Sequence, residues 1–379
     1  MMRKGILAAV AAGVTVTTAL AGCSSSKAPA TSSSTTNNKV GVLLPDTASS
    51  PRWTAADPDE IAKQCTVYKL NCQVYNANGS ATEQETQAQQ LISSGVGVIL
   101  LVDLDPASGA QIEAKAKQAG VVVIDYDRYT SGGSAEYYVS YDNVQVGKDQ
   151  GTALTQCPQV AGKSSVGYVE IDGAPTDNNA TLFAQGYNSV LSTQAGWNKL
   201  ADQTGQWSST VAQTVFQSML ASNASKIDAV MVANDTMAQS VINVLTGQNL
   251  AGKVAVSGQD ATPGGLDNIM AGTQCFTIYK AVTGEADVAV KLASQILAGT
   301  VKAGTMPSGA VSFTGPDKRT IPAYLATPTV ITKANVSQPV TDGYVTAAAV
   351  CDNTSLSASA LATLIAECNA NGISYQPSS

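Results

Sequence analysis

From Lys39 onward, short apolar runs alternate with longer stretches in which apolar residues recur every three or four positions. Runs rich in Val, Ile and Leu suit strands buried on both faces, and the 3.6-residue period suits the helices that cover them. The pattern predicts strands over 40–44, 72–75, 96–102, 121–124 and 137–143. Helices over 57–65, 82–93 and 106–120 separate the first four, and a helix over 144–154 follows the fifth directly. Pro106 suits the first turn of its helix and Gly120 suits its stop. Further strands are expected over 166–171, 227–233, 254–257 and 275–279, divided by helices over 179–191, 210–221, 237–246 and 264–270. Strand and helix in regular succession mean βαβ units and parallel sheets, so the class is α/β. The pause at 137–154 divides the chain into two doubly wound halves. After a helix over 284–297 comes a Pro- and Gly-punctuated tail to about 318, short strand-like pieces, and a helix near 356–368.

Six of these strands break off into polar clusters. They are Arg52-Trp53, Asp125-Tyr126-Asp127-Arg128, Asp177-Asn178-Asn179, Asn234-Asp235, Gly258-Gln259-Asp260 and Lys280. In open parallel sheets ligands bind outside the carboxyl ends of the strands, so residues placed there converge on one crevice. Asp127-Arg128 offers two acceptor oxygens beside a rigid fork of donors, matching vicinal hydroxyls of a sugar; an ordinary ion pair at a strand end would leave the same two letters. Trp53 and Trp207 follow strand-end positions in the two halves, where an aromatic face packs against the C–H face of a pyranose as readily as it fills a core. In each of the clusters at 177–179 and 234–235 one residue caps the next helix, with Asn178 and Asp235 read as the caps. Asp125 is read as supporting its strand.

Composition narrows the chemistry. The chain has no histidine, which removes Ser-His-Asp and Cys-His catalysis and the commonest zinc ligand. The formal net charge is −7, with no basic run, which argues against nucleic acid and against a polybasic membrane surface. Asp125-x-Asp127 and Asp103-x-Asp105 lack the further oxygen ligands of a calcium site, and no GxGxxG or P-loop follows the first strand. Neither metal nor cofactor is expected. A glycosidase would need paired carboxylates, with Asp127 and Asp260 as the candidates.

The first residues fit a secretory signal over 1–22: Arg3-Lys4, then an apolar stretch over 6–20. Leu20-Ala21-Gly22-Cys23 resembles the lipobox of bacterial lipoproteins, which implies a lipid on Cys23. Residues 23–38, rich in Ser, Thr, Ala and Asn, then form a flexible tether. Nothing else approaches a membrane span, so the lipid would be the sole membrane attachment. About 340 residues remain, which suits two domains. Six cysteines besides Cys23 allow 15 pairings; proximity favours Cys65 with Cys72 and Cys351 with Cys368, leaving Cys157 with Cys275.

With these residues in order, residues 39–301 resemble the type I periplasmic sugar-binding proteins of ABC importers, above all their D-xylose-binding branch. Arg52-Trp53, Tyr126-Asp127-Arg128, Tyr141-Asp142-Asn143, Pro175-Thr176-Asp177-Asn178-Asn179-Ala180, Ala233-Asn234-Asp235, Ser257-Gly258-Gln259-Asp260 and Tyr279-Lys280 carry the resemblance, in matching order and spacing. It implies two α/β lobes joined by three crossings and closing on one monosaccharide. Crossings near 141–143, 280–283 and Thr320 would give a first lobe of 39–141 with 281–319 and a second of 142–280 with 320–379. The ligand contacts implied are Arg52, Trp53, Asp127, Arg128, Asp177, Asn179, Trp207, Asn234, Asp260 and Lys280. Such a protein is a monomeric, lipid-anchored receptor outside the cytoplasm that delivers a pentose or hexose to the transmembrane subunits of an ABC permease. The alternatives are a sugar sensor feeding a chemoreceptor or kinase, and a secreted glycoside hydrolase. The segment 46–51, the loop 203–207, the residues after Cys351 and the six remaining cysteines depart from the family pattern.

Overall fold

The computed structural model describes residues 37–353 and 356–377; the expected leader, Cys23 and the tether up to residue 36 lie outside the described residues. The first half alternates β1 (Lys39–Leu44), α1 (Ala56–Val67), β2 (Asn71–Asn76), α2 (Ala81–Ser93), β3 (Val98–Leu101), α3 (Pro106–Gln118), β4 (Val122–Tyr126) and β5 (Tyr137–Tyr141). The second runs α4 (Asn143–Thr155), β6 (Val166–Asp172), α5 (Asn178–Leu191), β7 (Trp197–Thr204), α6 (Ser209–Asn223), β8 (Ala229–Val232), α7 (Asp235–Gly247), β9 (Ala255–Val256), α8 (Pro263–Ala271) and β10 (Thr277–Tyr279). The remainder is α9 (Val282–Leu297), β11 (Val311–Thr314), β12 (Thr320–Ala326), β13 (Thr329–Ile331), α10 (Gln338–Thr341), α11 (Ala347–Cys351) and α12 (Ala358–Ala370).

Two sheets form two lobes. The first has the order β11-β12-β5-β4-β3-β1-β2 and is parallel apart from β11; the second is β7-β6-β8-β9, all parallel, accompanied by the antiparallel pair β10-β13. Each sheet is covered on both faces. In the first lobe Ile61 of α1 and Ala289 and Val290 of α9 bury one face, while Leu91 of α2 and Ile112 of α3 bury the other. In the second, Val146 and Phe183 of α4 and α5 oppose Phe216 and Val241 of α6 and α7. Strands buried on both sides read as continuous apolar runs, which is why the alternation was visible along the chain.

Two features differ from the sequence expectation. A fourth parallel strand, β7, occupies residues between two expected helices for which the pattern predicts no element; it is a sheet edge whose residues are intermediate or exposed, so no apolar run marks it. The third crossing does not fall near Thr320. β12 stays in the first sheet, in parallel register with β5 from Ala323↔Tyr138 to Ala326↔Tyr141, and the chain crosses only between Ala326 and Thr329. The three crossings touch one another: the Asp142 amide donates to the Ala326 carbonyl at 3.0 Å, and the Tyr141 hydroxyl donates to the Ala281 carbonyl at 2.9 Å.

Disulfides join Cys65 to Cys72, Cys157 to Cys275 and Cys351 to Cys368, the pairing that proximity favoured. The last staples α11 to α12, which pack on α8 through Val350, Leu364, Leu266 and Ile269.

Helices α4 and α5 approach closely because each presents a glycine. A Cβ on Gly147 would stand 2.1 Å from the Phe183 carbonyl oxygen, and one on Gly186 would stand 2.3 Å from that of Val144. Backbone cannot yield as a side chain can, so the helices must part. Gly147→Ala should therefore destabilise the protein by about 1–3 kcal/mol, read as a lower urea midpoint at unchanged m-value. An unshifted midpoint would mean that the helices tolerate separation.

Candidate functional site

The loops at the carboxyl ends of the strands build one cleft between the lobes. After β1, the Asp46 carboxylate accepts from the amides of Ala48 and Ser49 at 2.8 and 2.7 Å, turning the loop so that the short 3-10 turn Pro51–Trp53 faces the second lobe. After β4, Asp127 has a left-handed backbone (φ 62°). Its carbonyl is held by the Tyr138 and Ser140 hydroxyls at 3.1 and 2.7 Å and by Asn179 Nδ2 at 2.9 Å. After β7, Gln206 and Trp207 are consecutive left-handed residues, and the indole lies so close to Gly173 that a Cβ there would meet Cζ2 at 2.0 Å.

Arg52, Trp53, Asp127 and Arg128 from the first lobe, Asp177, Asn179, Trp207, Asn234 and Asp260 from the second, and Lys280 at a crossing all line one cavity. Ser49, Ser50, Phe183 and Gln259 complete its wall. Of these four, Gln259 lay inside a cluster already singled out, and Phe183 stands one helical turn beyond Asn179, on the same face. Ser49 and Ser50 carried only the general signal of turn-forming residues after a strand. About 30 Å³ of the cavity is open to the centre of a water-sized molecule. Some of the lining groups hold one another across the cleft.

The pairing departs from the sequence reading in two ways. Asp127 and Arg128 do not act as one fork. The Asp127 carboxylate meets Arg52 Nη1 at 2.7 Å, whereas Arg128 Nε reaches Asp177 of the other lobe at 3.1 Å and Arg128 Nη1 donates to the Asp103 carbonyl at 3.0 Å. Nor are Asn178 and Asp235 the caps. Asp177 Oδ1 accepts from the Asn179 amide at 2.8 Å and Asn234 Oδ1 accepts from that of Met237 at 3.0 Å, so the capping residues themselves line the cavity with their remaining polar atoms. Asp235 is instead buried below, accepting from Gln274 and Thr277, and burial pushes its carboxyl up to about 7. Asp125 serves its strand as expected, accepting from the Thr130 amide and hydroxyl.

Further contacts span the lobes: the Ser50 hydroxyl donates to Asp260 at 3.1 Å, and Asn234 donates to the Ser49 carbonyl at 3.0 Å. Within the second lobe, the Asp177 carboxylate also accepts from the Trp207 indole at 3.1 Å. Lys280 Nζ lies 3.4 Å from Asp260 and 3.8 Å from Asp127. Trp53 underlies the Arg52 guanidinium at 4.5 Å, and Lys280 stands over the Phe183 ring at 5.6 Å.

Electrostatics fix which acids stay charged. Arg52, almost fully buried, chelates Asp57 with two 2.8 Å bonds and reaches Glu285 of α9 at 2.7 Å. Burial alone would lower its pKa, and the carboxylates of Asp57, Asp127 and Glu285 more than reverse that. Burial would raise Asp127, but Arg52, Lys280 and Arg128 hold it below the ordinary carboxylate range. Glu285 and Asp103 are pushed up to about 8, each chiefly by burial that Arg52 and Arg128 respectively only partly offset. Burial also raises Asp177, against the pull of Arg128. The cleft therefore presents paired charges and no surplus cation. Among the described residues no group of acidic or cysteine side chains is arranged to hold a metal.

Comparison with known proteins agrees with this architecture. A D-xylose-binding periplasmic protein of Escherichia coli is 33% identical over 313 residues, covering 81% of this chain and 90% of the relative. A multiple sugar-binding periplasmic protein of Azospirillum brasilense is 28% identical over 328 residues, covering 82% and 90%. Among solved structures, an ABC transporter solute binding protein of Clostridium phytofermentans with bound β-D-glucose aligns with a TM-score of 0.71 at 25% identity, covering 82% of this chain and 99% of that one. A carbohydrate transporter solute binding protein of Chloroflexus aurantiacus, in complex with D-glucose, reaches 0.73 at 23% identity over 82% and 97%. The family model described as a periplasmic binding protein domain matches residues 40–300, and this chain belongs to that family, with its type I fold of two lobes.

Proposed function

We propose that the protein captures a monosaccharide, D-xylose or a related aldose, between its lobes and delivers it to an ABC permease from the outer face of the cell membrane, tethered by a lipid on Cys23. The observation that carries this reading is the ring of paired acids, bases and amides from both lobes around one cavity flanked by Trp53, Trp207 and Phe183. The D-xylose-binding relatives support the choice of sugar. The ten contacts are Arg52, Trp53, Asp127, Arg128, Asp177, Asn179, Trp207, Asn234, Asp260 and Lys280. Arg52 acts mainly through Asp127, since its donors are taken by three carboxylates.

In this reading the groups that pair across the cleft turn to the sugar. Its hydroxyls donate to the carboxylates of Asp127, Asp177 and Asp260 and accept from Arg128, Lys280, Asn179 and Asn234. Because the cleft already balances its charges, a neutral polyol leaves none uncompensated, whereas an ionic ligand would. A glycosidase is disfavoured by the relatives, whose names describe sugar-binding proteins.

Two measurements check the reading. At a hundredfold excess over Kd, the correct sugar should add about 2.7 kcal/mol of stability, visible as a raised melting temperature; no response to any sugar in a panel of pentoses and hexoses would overturn it. Arg128→Ala should weaken binding by about 2–5 kcal/mol, because Asp177 is left buried without its cation. Unchanged affinity by calorimetry would take Arg128 out of the site.

A further inference from the structure

Asp127 and Asp260 hold corresponding places in the two lobes. Each follows a strand, each donates its amide at 2.8 Å to a neighbouring strand (Asp127 to Val139, Asp260 to Ile278), and each has a positive φ, 62° and 92°. A non-glycine residue persists there only when its surroundings over-determine it. Asp127 is clamped through its carbonyl by Tyr138, Ser140 and Asn179, all within the span matched by the family model. Asp260 is clamped from elsewhere. The hydroxyl of Tyr344 donates to its carbonyl at 2.8 Å, and Tyr344 lies beyond residue 300, where the family match ends. The residue that follows, Ala261, is left-handed too (φ 48°), its amide held by the Thr277 hydroxyl at 3.1 Å.

Tyr344 is itself firmly placed. Its ring packs on Tyr279, next to Lys280, with centroids 5.2 Å apart. Its amide donates to the Pro339 carbonyl at 2.9 Å, and α11, which follows it, is joined by Cys351–Cys368 to α12, both packing on α8, the helix just after Asp260 and Ala261. One side chain thus braces the peptide that aims Asp260 and the strand that ends in Lys280. We infer that the disulfide-bonded C-terminal segment is a positioning element of the sugar site, acting through the Tyr344 hydroxyl on Asp260. This rests on the reading that Asp260 and Lys280 contact the sugar.

The test is Tyr344→Phe, which removes the hydroxyl and keeps the ring. It should raise the Kd for the sugar roughly fivefold to tenfold by calorimetry. Hydrogen exchange at the Asp260 and Ala261 amides should quicken in the ligand-free protein, while the melting temperature stays nearly constant. The double variant Cys351→Ser, Cys368→Ser should weaken binding in the same direction. Affinity within twofold of wild type, together with unchanged exchange at the two amides, would overturn the inference. If the wild-type protein binds no sugar in the panel, the functional reading fails separately, and exchange alone decides whether Tyr344 positions Asp260.

Discussion

A carboxylate persists in a protein interior only beside a cation or a proton, and this cleft is organised around how Arg52 meets that condition. Its guanidinium joins Asp57 of α1, Asp127 at the end of β4 and Glu285 of α9. Those three elements belong to the first lobe, yet α9 reaches it only after the chain has passed through the second. A single cation therefore fastens the returning helix to the helix that opens the fold, and holds the pocket acid Asp127 charged and aimed. The cost of burying one cation among three acids is relieved by the raised pKa of Glu285, which admits a proton where a third charge would not be balanced.

The same principle governs the contacts between lobes. Arg128 with Asp177 and Lys280 with Asp127 are pairs whose members would each be costly to leave dry and alone. Closure without a partner molecule and closure around a polyol are then two ways of satisfying one set of donors and acceptors. The difference between them, rather than the total number of bonds, decides affinity.

Much of this was legible along the chain. Buried parallel strands such as β3, β4 and β8 print themselves as apolar runs, and their polar ends point to the cleft. What escaped has physical causes. β7 is an edge strand with little to bury. β12 contains Pro322, which lacks a ladder donor and weakens its claim to be a strand, so the crossing seemed to come too early. Asp177, Asn178 and Asn179 are all able to cap a helix, and only the backbone angles choose among them. Asp127 and Arg128 are neighbours in sequence, but the chain turns at the left-handed Asp127, so each found its partner on a different element.

The crossings carry a mechanical consequence. β5 and β12 leave the first sheet side by side, still paired at Tyr141 and Ala326, and the third connection is tied to them through the Tyr141 hydroxyl and the Ala281 carbonyl. Three separate threads would let one lobe swivel as well as bend; a bonded ribbon resists torsion while flexing across its width. Opening then has one soft coordinate, and the two walls of the pocket return to the same alignment each time they meet.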